Sequence, residues 1–495
     1  MDYLDPQKKK RKRAKIMIGY GLLGTAIALA TLILVYVTTG YYVDRNTGEV
    51  IQNGLIYVDS KPESARIILN GVEQGVQTDA RLVLPEGRHT IQLDREGYRP
   101  WARTVDLEGG SVRRLNYARL VPTNLETAPI QNLADQPSLV SQSIDKRWLV
   151  FAYNNNALEM KTVDLESEEL APTDIKFPVD LIESDSLKGT WEILEWADDN
   201  KHFLATYTTE DGTEYVLINH DKPLESVNLT STLEDVPFTS LTLRNRKNDL
   251  LFVYDAKEKT VSKARIDGTE LEVFAENVNQ YTSFGEDILY VSNDPTNKLK
   301  ALVTLKRGED LFQLRQIDIA DEYLLALSKI GNAFVAGFSS VEEDRAYIYN
   351  DPIKSFNQEN APRFPVPAAV LRVVDPQELR ISQNSSVITV RGGQTFATHE
   401  FEEDRTFTFT IKGTLNKNQE FRWLDGRHFT ISVDGVQNMI DYNGDNQYEL
   451  VESVVGFGSF FDKDLDFLYT FSPEDTKEEV PARMFRTFMR TPEDR

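Results

Sequence analysis

Trp196-Ala197-Asp198-Asp199-Asn200-Lys201-His202-Phe203-Leu204 sets the pattern on which the fold turns: an acid- and amide-rich turn runs straight into a hydrophobic strand. Asp and Asn favour such turns because their side chains bond nearby backbone N–H groups and tolerate left-handed φ. The same pattern recurs at 144–151 (IDKRWLVF), 246–253 (RKNDLLFV), 284–291 (FGEDILYV), 331–335 (GNAFV), 384–390 (NSSVITV), 423–431 (WLDGRHFTI) and 461–469 (FDKDLDFLY). The copies lie about 40–55 residues apart, the spacing of propeller blades. Each supplies the hairpin of inner strands of a four-stranded blade. Following strands are expected at 158–164, 214–219, 261–266, 345–350 and 438–442. A single blade cannot cover both of its apolar faces, so radial stacking gives the physical reason to repeat. Eight copies predict eight blades; the count falls to seven if 125–130 completes the last one.

Composition agrees with a β-rich chain. Among 495 residues are 25 Phe, 20 Tyr and 20 Pro, a profile of strands broken by many turns. The absence of cysteine excludes disulfide scaffolds, thiolate metal sites and thiol catalysis. A net charge of −23 argues against nucleic acid as a partner, because phosphate binding needs a basic surface.

That charge is unevenly spread. Residues 1–15 hold seven cations (Lys8, Lys9, Lys10, Arg11, Lys12, Arg13, Lys15) against Asp2 and Asp5, a net of +5, which leaves −28 for the rest. Then 16–43 runs 28 residues without a charge, with Tyr20 near one end and Tyr36, Tyr41 and Tyr42 near the other. About 20 apolar residues span a bilayer core of about 30 Å, so this stretch reads as a transmembrane helix. A cleaved signal peptide is the competing reading, but its apolar region runs only about 7–15 residues. The Ala28-x-Ala30 match lies inside the run, so cleavage there would leave an oily terminus. The positive-inside rule puts residues 1–15 in the cytoplasm and everything past a linker at 44–53 outside it. Gly19-Tyr20-Gly21-Leu22-Leu23-Gly24 matches a dinucleotide fingerprint, but no strand precedes it, and glycines inside a membrane span serve helix packing instead.

Residues 54–122 read as short alternating strands at 55–59, 65–69, 80–84, 89–94, 101–107 and 112–119, broken by Asn70-Gly71, Pro85-Glu86-Gly87 and Gly109-Gly110. Such a segment makes a compact antiparallel sandwich. It resembles a PEGA domain through Ser60, Pro62, Glu63, Ala65, Asn70-Gly71, Gly75, Thr78, Gly87, His89 and Gly97-Tyr98. Ser64 stands where that family has Gly, and Asp79 where it has Pro. The resemblance implies a binding or spacing module of envelope and surface proteins, without catalytic residues. Tyr98 and Trp101 read as core packing rather than a ligand face. The remaining segment, 123–495, resembles the WD40-like propellers of the TolB type, most closely at Met439-Ile440-Asp441-Tyr442-Asn443-Gly444-Asp445-Asn446.

No motif for catalysis is legible. GxSxG, GxxxxGK[ST] and HExxH are all absent. Glu195, Asp198 and Asp425 would serve a carboxylate hydrolase of cell-wall glycan or peptide acting at the propeller mouth, and acids are abundant enough that their presence alone says little. Asp441, Asn443 and Asp445 carry the every-other-residue oxygens of a Ca²⁺ loop, as do Asp462, Asp464 and Asp466. Both sets are equally ordinary hairpin turns. His202 and His428 occupy one position in two repeats and read as residues starting a strand, far from any ligand partner. Arg483, Arg486 and Arg490 with Phe485, Phe488 and Met489 form an outer strand and frayed tail, or else a basic amphipathic element. The chain is thus expected to be a mainly β, membrane-anchored extracytoplasmic binding or scaffold protein of a prokaryotic envelope, without cofactor. Its partners would be the bilayer through 16–43 and a protein, peptide or glycan at an acidic propeller face that prefers cations.

Overall fold

The structure, a computed structural model, describes residues 6–38, 40–43, 48, 50–153, 158–184, 188–358, 361–415, 420–452, 458–472 and 482–495. Asp2, Asp5 and half of the expected linker (44–47 and 49) lie outside the described residues. The chain divides into two units: Met1–Asn124 with Arg490–Arg495, and Leu125–Met489.

The first unit opens with helix α1, Pro6–Thr38. Its stretch Lys10–Tyr36 is long and apolar enough to cross a membrane and buries nothing against the protein. Thr25 and Thr31 turn their hydroxyls back to the carbonyls of Gly21 and Ile27, at 3.0 and 2.9 Å. That arrangement satisfies both threonine hydroxyls within the helix. The helix ends before the expected limit of 43: Tyr41–Val43 (β1) pairs instead with Val50–Lys61 (β2), which also takes up the last part of the expected linker.

Six further strands follow: Arg66–Leu69 (β3), Val72–Gln77 (β4), Ala80–Pro85 (β5), Gly87–Asp94 (β6), Trp101–Leu107 (β7) and Val112–Arg119 (β8). They form two four-stranded sheets, β1-β2-β5 with β8 beside β2, and β4-β3-β6-β7. The expected sandwich is present, but it is not wholly antiparallel, because β2 and β8 run parallel. Ile56, Ile67, Ile91, Leu93 and Trp101 are fully buried between the sheets. Tyr98 and Trp101 both belong to this core. The tail Arg490–Arg495, expected to fray, is anchored in this unit: the Tyr98 hydroxyl donates to Asp494 at 2.7 Å, and Arg95 forms an ion pair with Asp494.

The second unit contains, among the described residues, eight four-stranded antiparallel sheets forming a β-propeller. Their first strands are Leu139–Gln142, Thr190–Trp196, Ser240–Leu243, Gln280–Phe284, Tyr323–Ile330, Glu378–Ile381, Arg422–Trp423 and Phe460–Phe461. The third strands, among them Glu159–Asp164, Thr213–Asn219 and Arg345–Asn350, fall where expected. Thr127–Leu133 (β9) does complete the last sheet, pairing with Ala482–Phe488, and the sheets still number eight among the described residues. Ala482–Phe488 is therefore a third strand, clamped on both sides, rather than an outer one. Its Arg486 lies 4.9 Å over the Phe467 ring.

Apolar side chains fill the gaps between successive sheets. Phe203 and Trp196 meet Val150 of the preceding sheet, and Phe396 meets Phe429 of the next, their rings 5.4 Å apart. The ring closes where Phe460, Tyr469 and Met484 of the last sheet pack on Val140, Leu149 and Phe151 of the first. Each inner strand is covered on both faces, so hydrophobic burial drives closure as much as strand pairing does.

Candidate functional site

The repeated turns lie between the first and second strands of each sheet, all at one end of the propeller. In the second sheet the Asp199 carboxylate accepts the backbone N–H groups of Lys201 and His202 and faces His202 Nδ1 at 2.6 Å. The seventh sheet repeats this with Asp425, Arg427 and His428, the ring nitrogen standing 2.8 Å from Asp425 Oδ2. Both histidines therefore have a carboxylate partner three residues upstream, which sequence reading missed. Burial alone would raise the Asp199 carboxyl; the two N–H groups and the His202 ring overcome it and hold the group below its ordinary value. The residue after the acid or amide is left-handed in several copies, with φ of 65° at Lys146, 55° at Asn200 and 62° at Ser385.

These turns are tied to their neighbours around the ring. Gln142 Nε2 donates to the Phe461 carbonyl at 2.6 Å, Asp198 N to the Arg246 carbonyl at 2.9 Å, and Asn245 N to the Gly285 carbonyl at 2.9 Å. Lys329 pairs with Asp287 at 2.9 Å, and the Ser328 and Ser385 hydroxyls meet at 2.6 Å.

Inside this belt lies a cavity of about 1190 Å³, walled by the ends of all eight first strands and their turns. Its volume is ample for a small ligand. Apolar surface comes from Phe284, Leu327, Trp423 and Phe460, interleaved with serine, threonine, asparagine and glutamine side chains. The ionisable lining corrects the expectation of an acidic face: Lys146, Arg246, Lys329, Arg380 and Arg422 outnumber Glu195, Asp198 and Glu420. The excess of acid in the chain as a whole therefore lies elsewhere.

Three groups define the chemistry of the wall. Glu195 sits beside a β-bulge in its strand, at the register shift between Ile193 and Glu195, and its Oε1 accepts the Leu243 N–H at 2.5 Å. Burial pushes its carboxyl up to about 7, against the pull of Leu243 N–H and Arg246. Glu378 is buried and accepts from Arg391 Nε at 3.0 Å; it also pairs with Arg380, which reaches Glu420 at 2.6 Å. Arg422 stands beside this network with its guanidinium 5.2 Å over the Phe460 ring, and burial lowers its affinity for a proton.

Of the acids named from sequence, the structure brings Glu195 and Asp198 to the cavity, whereas Asp425 is committed to its own turn. Asp441, Asn443 and Asp445 lie away from it, in the hairpin after Val436–Asp441. There Asp441 is buried, accepts Asn446 Nδ2 at 2.8 Å and faces His428 Nε2 at 3.4 Å, while Asn443 donates to Asp445. Asp462 accepts the Phe467 N–H at 2.7 Å, serving as the turn acid of the eighth sheet. The cations of the cavity escaped sequence reading. Their one signal was position: Lys146, Arg246 and Lys329 stand at or beside equivalent turns in a chain otherwise rich in acid.

Residues 53–124 match the PEGA domain family. No curated protein matches the chain. Solved structures with similarity include the Dos1 propeller, at 12% identity over 74% of this chain and 95% of that one with a TM-score of 0.45. The Cps50 (Swd1) β-propeller domain of Myceliophteria thermophila is 9% identical over 74% and 100%, with a TM-score of 0.40. Apo AztD of Citrobacter koseri is 9% identical over 80% and 97%, with a TM-score of 0.38.

Proposed function

We propose that this protein is a single-pass, membrane-anchored binding or scaffold protein of a prokaryotic envelope, with its N-terminus cytoplasmic and its propeller outside the cell. The cavity at the turn end of the propeller recognises the ligand, and the PEGA-like unit stands between membrane and propeller in the chain. The observation that carries this reading is the convergence of all eight sheets on one polar and aromatic cavity. Ligand sites are concave surfaces of this kind with a few fixed polar groups. Support for the anchor comes from the unburied helical stretch Lys10–Tyr36, which carries no charge after Lys15, and for its orientation from the cations at its start.

A carboxylate hydrolase is the rival reading, and Glu195 favours it, since a carboxyl titrating near 7 suits a general acid. Against it, Glu195 is held by the Leu243 amide and Glu420 by Arg380. Two measurements test the proposal. Protease added to intact cells should remove everything beyond the helix. A Ser328→Trp variant, which fills the cavity, should lose envelope material that the natural chain retains on purification. Retention of the same material by the filled variant would defeat the binding reading, and turnover of cell-wall fragments abolished by Glu195→Gln would establish the hydrolase.

A further inference from the structure

We infer that the propeller cavity is a receptor for a small, multiply charged oxyanion, a phosphate ester or polycarboxylate, gripped by Arg422, with Arg246 adding positive charge from the wall. The inference deepens the binding role proposed above and rests on it.

Arg422 begins the innermost strand of the seventh sheet and lines the cavity. Among the described residues its guanidinium has neither a hydrogen bond nor an ion pair. The arginines that hold the nearby carboxylates differ: Arg391 is bound to Glu378 at 3.0 Å and Arg380 to Glu420 at 2.6 Å. The charges facing Arg422 are Glu420, Glu378 and Arg380, and both carboxylates are already taken by the other arginines. Five N–H donors in a rigid fork are thus left unspent in a deep site, the geometry that meets carboxylate or phosphate with two parallel bonds. The Phe460 ring lies 5.2 Å from the guanidinium carbon and adds a cation–π contact. Gly458 leaves room for it, since a Cβ there would fall 2.9 Å from Arg422 Cδ and Nε.

Arg246, another cation of the cavity wall, also has no ion pair among the described residues. It lies in the turn Arg244–Arg246, where Asn245 and Arg246 are both left-handed, at φ of 56° and 49°. Asparagine adopts that conformation readily; arginine does so at a cost that the surrounding turn must impose. The result is an exposed arginine held in the cavity wall. Lys146 and Lys329 add positive charge to the same wall, and the acid opposite Arg246, Glu195, is half neutral near pH 7.

The size of the ligand follows from the charge of the whole. At −23 the chain repels a polyanion that must lie along its surface, whereas a small anion inside the cavity meets the local excess of cations.

The test is calorimetric titration of the full chain in detergent, at neutral pH and low salt, with pyrophosphate and citrate as separate probes and spermidine as the cationic control. At least one oxyanion should bind, and spermidine should not. Pyrophosphate alone identifies a phosphate ester, citrate alone a polycarboxylate. Arg422→Gln should weaken binding at least tenfold and Arg246→Gln at least threefold. Arg422→Lys, which keeps the charge but loses the fork, should fall between natural chain and Arg422→Gln. Unchanged binding by a folded Arg422→Gln chain, or no heat with either oxyanion, overturns the inference. A cavity that binds an uncharged or cationic ligand instead leaves the receptor role standing and removes only its anion chemistry.

Discussion

The ammonium of Lys146, in the turn of the first sheet, donates to the carbonyl oxygen of Leu424, in the turn of the seventh, at 2.5 Å. The bond reaches past the eighth sheet, the one assembled from both parts of the propeller chain. It acts alongside Gln142 Nε2, which holds the Phe461 carbonyl of that eighth sheet. Lys146→Met keeps the aliphatic stem and removes the donor. Hydrogen bonds from charged groups contribute about 1.5–3 kcal/mol, so the guanidinium midpoint should drop by the equivalent of about 2 kcal/mol with an unchanged slope. An unaltered midpoint would mean that the closing sheet needs no such brace.

Glu195 makes stability depend on pH in a known direction. In the unfolded chain its carboxyl titrates near 4.5, and in the folded chain burial moves it to about 7. Between those values the folded state holds a proton that the unfolded state has shed, so stability falls as pH rises through that window. Glu195→Gln removes the titration while keeping an acceptor for Leu243 N–H. The variant should gain stability relative to the natural chain, from no difference in slope below pH 4.5 to about 3 kcal/mol by pH 7.5. Urea unfolding at several pH values reads this directly.

The turn chemistry made the repeats legible. Asp199 and Asp425 announce their hairpins because a carboxylate bonding the next N–H groups is a local event, written within four residues. The cavity cations were not legible, since whether Arg422 is paired or bare depends on Glu378 and Glu420 arriving from elsewhere and being taken by Arg391 and Arg380. Val72–Gln77 escaped for another reason: nearly all of its side chains are exposed, so no period of two marks it as a strand. The parallel pairing of β2 with β8 joins strands about 50 residues apart, and no nearby turn signals it.

Asp494 anchors the end of the chain to the sandwich through Arg95 and the Tyr98 hydroxyl. Its side chain is only 16% exposed and that of Arg95 23%, so the pair is better shielded than a surface bridge. Asp494→Ala leaves a half-buried guanidinium without its carboxylate, at a cost of about 1–3 kcal/mol. Amide exchange should accelerate around Arg95–Tyr98 and Thr491 while the propeller sheets keep their protection. Equal exchange in the variant would show that the tail contributes nothing to the sandwich.

Gly392 and Gly393 close one hairpin of the sixth sheet for unrelated reasons. A Cβ at Gly392 would lie 2.1 Å from the Val374 carbonyl and 2.7 Å from that of Asp375. Neither backbone atom can yield without moving the segment between the fifth and sixth sheets. At Gly393 the space is open, but φ is +57°, a conformation costing L-residues about 1–2 kcal/mol. Gly393→Ala should therefore lower stability by about 1 kcal/mol, whereas Gly392→Ala should cost about 3 kcal/mol, as overpacking does. Denaturant midpoints of the two variants decide the matter: equal losses would mean that the close approach of Val374 is relieved by a small shift.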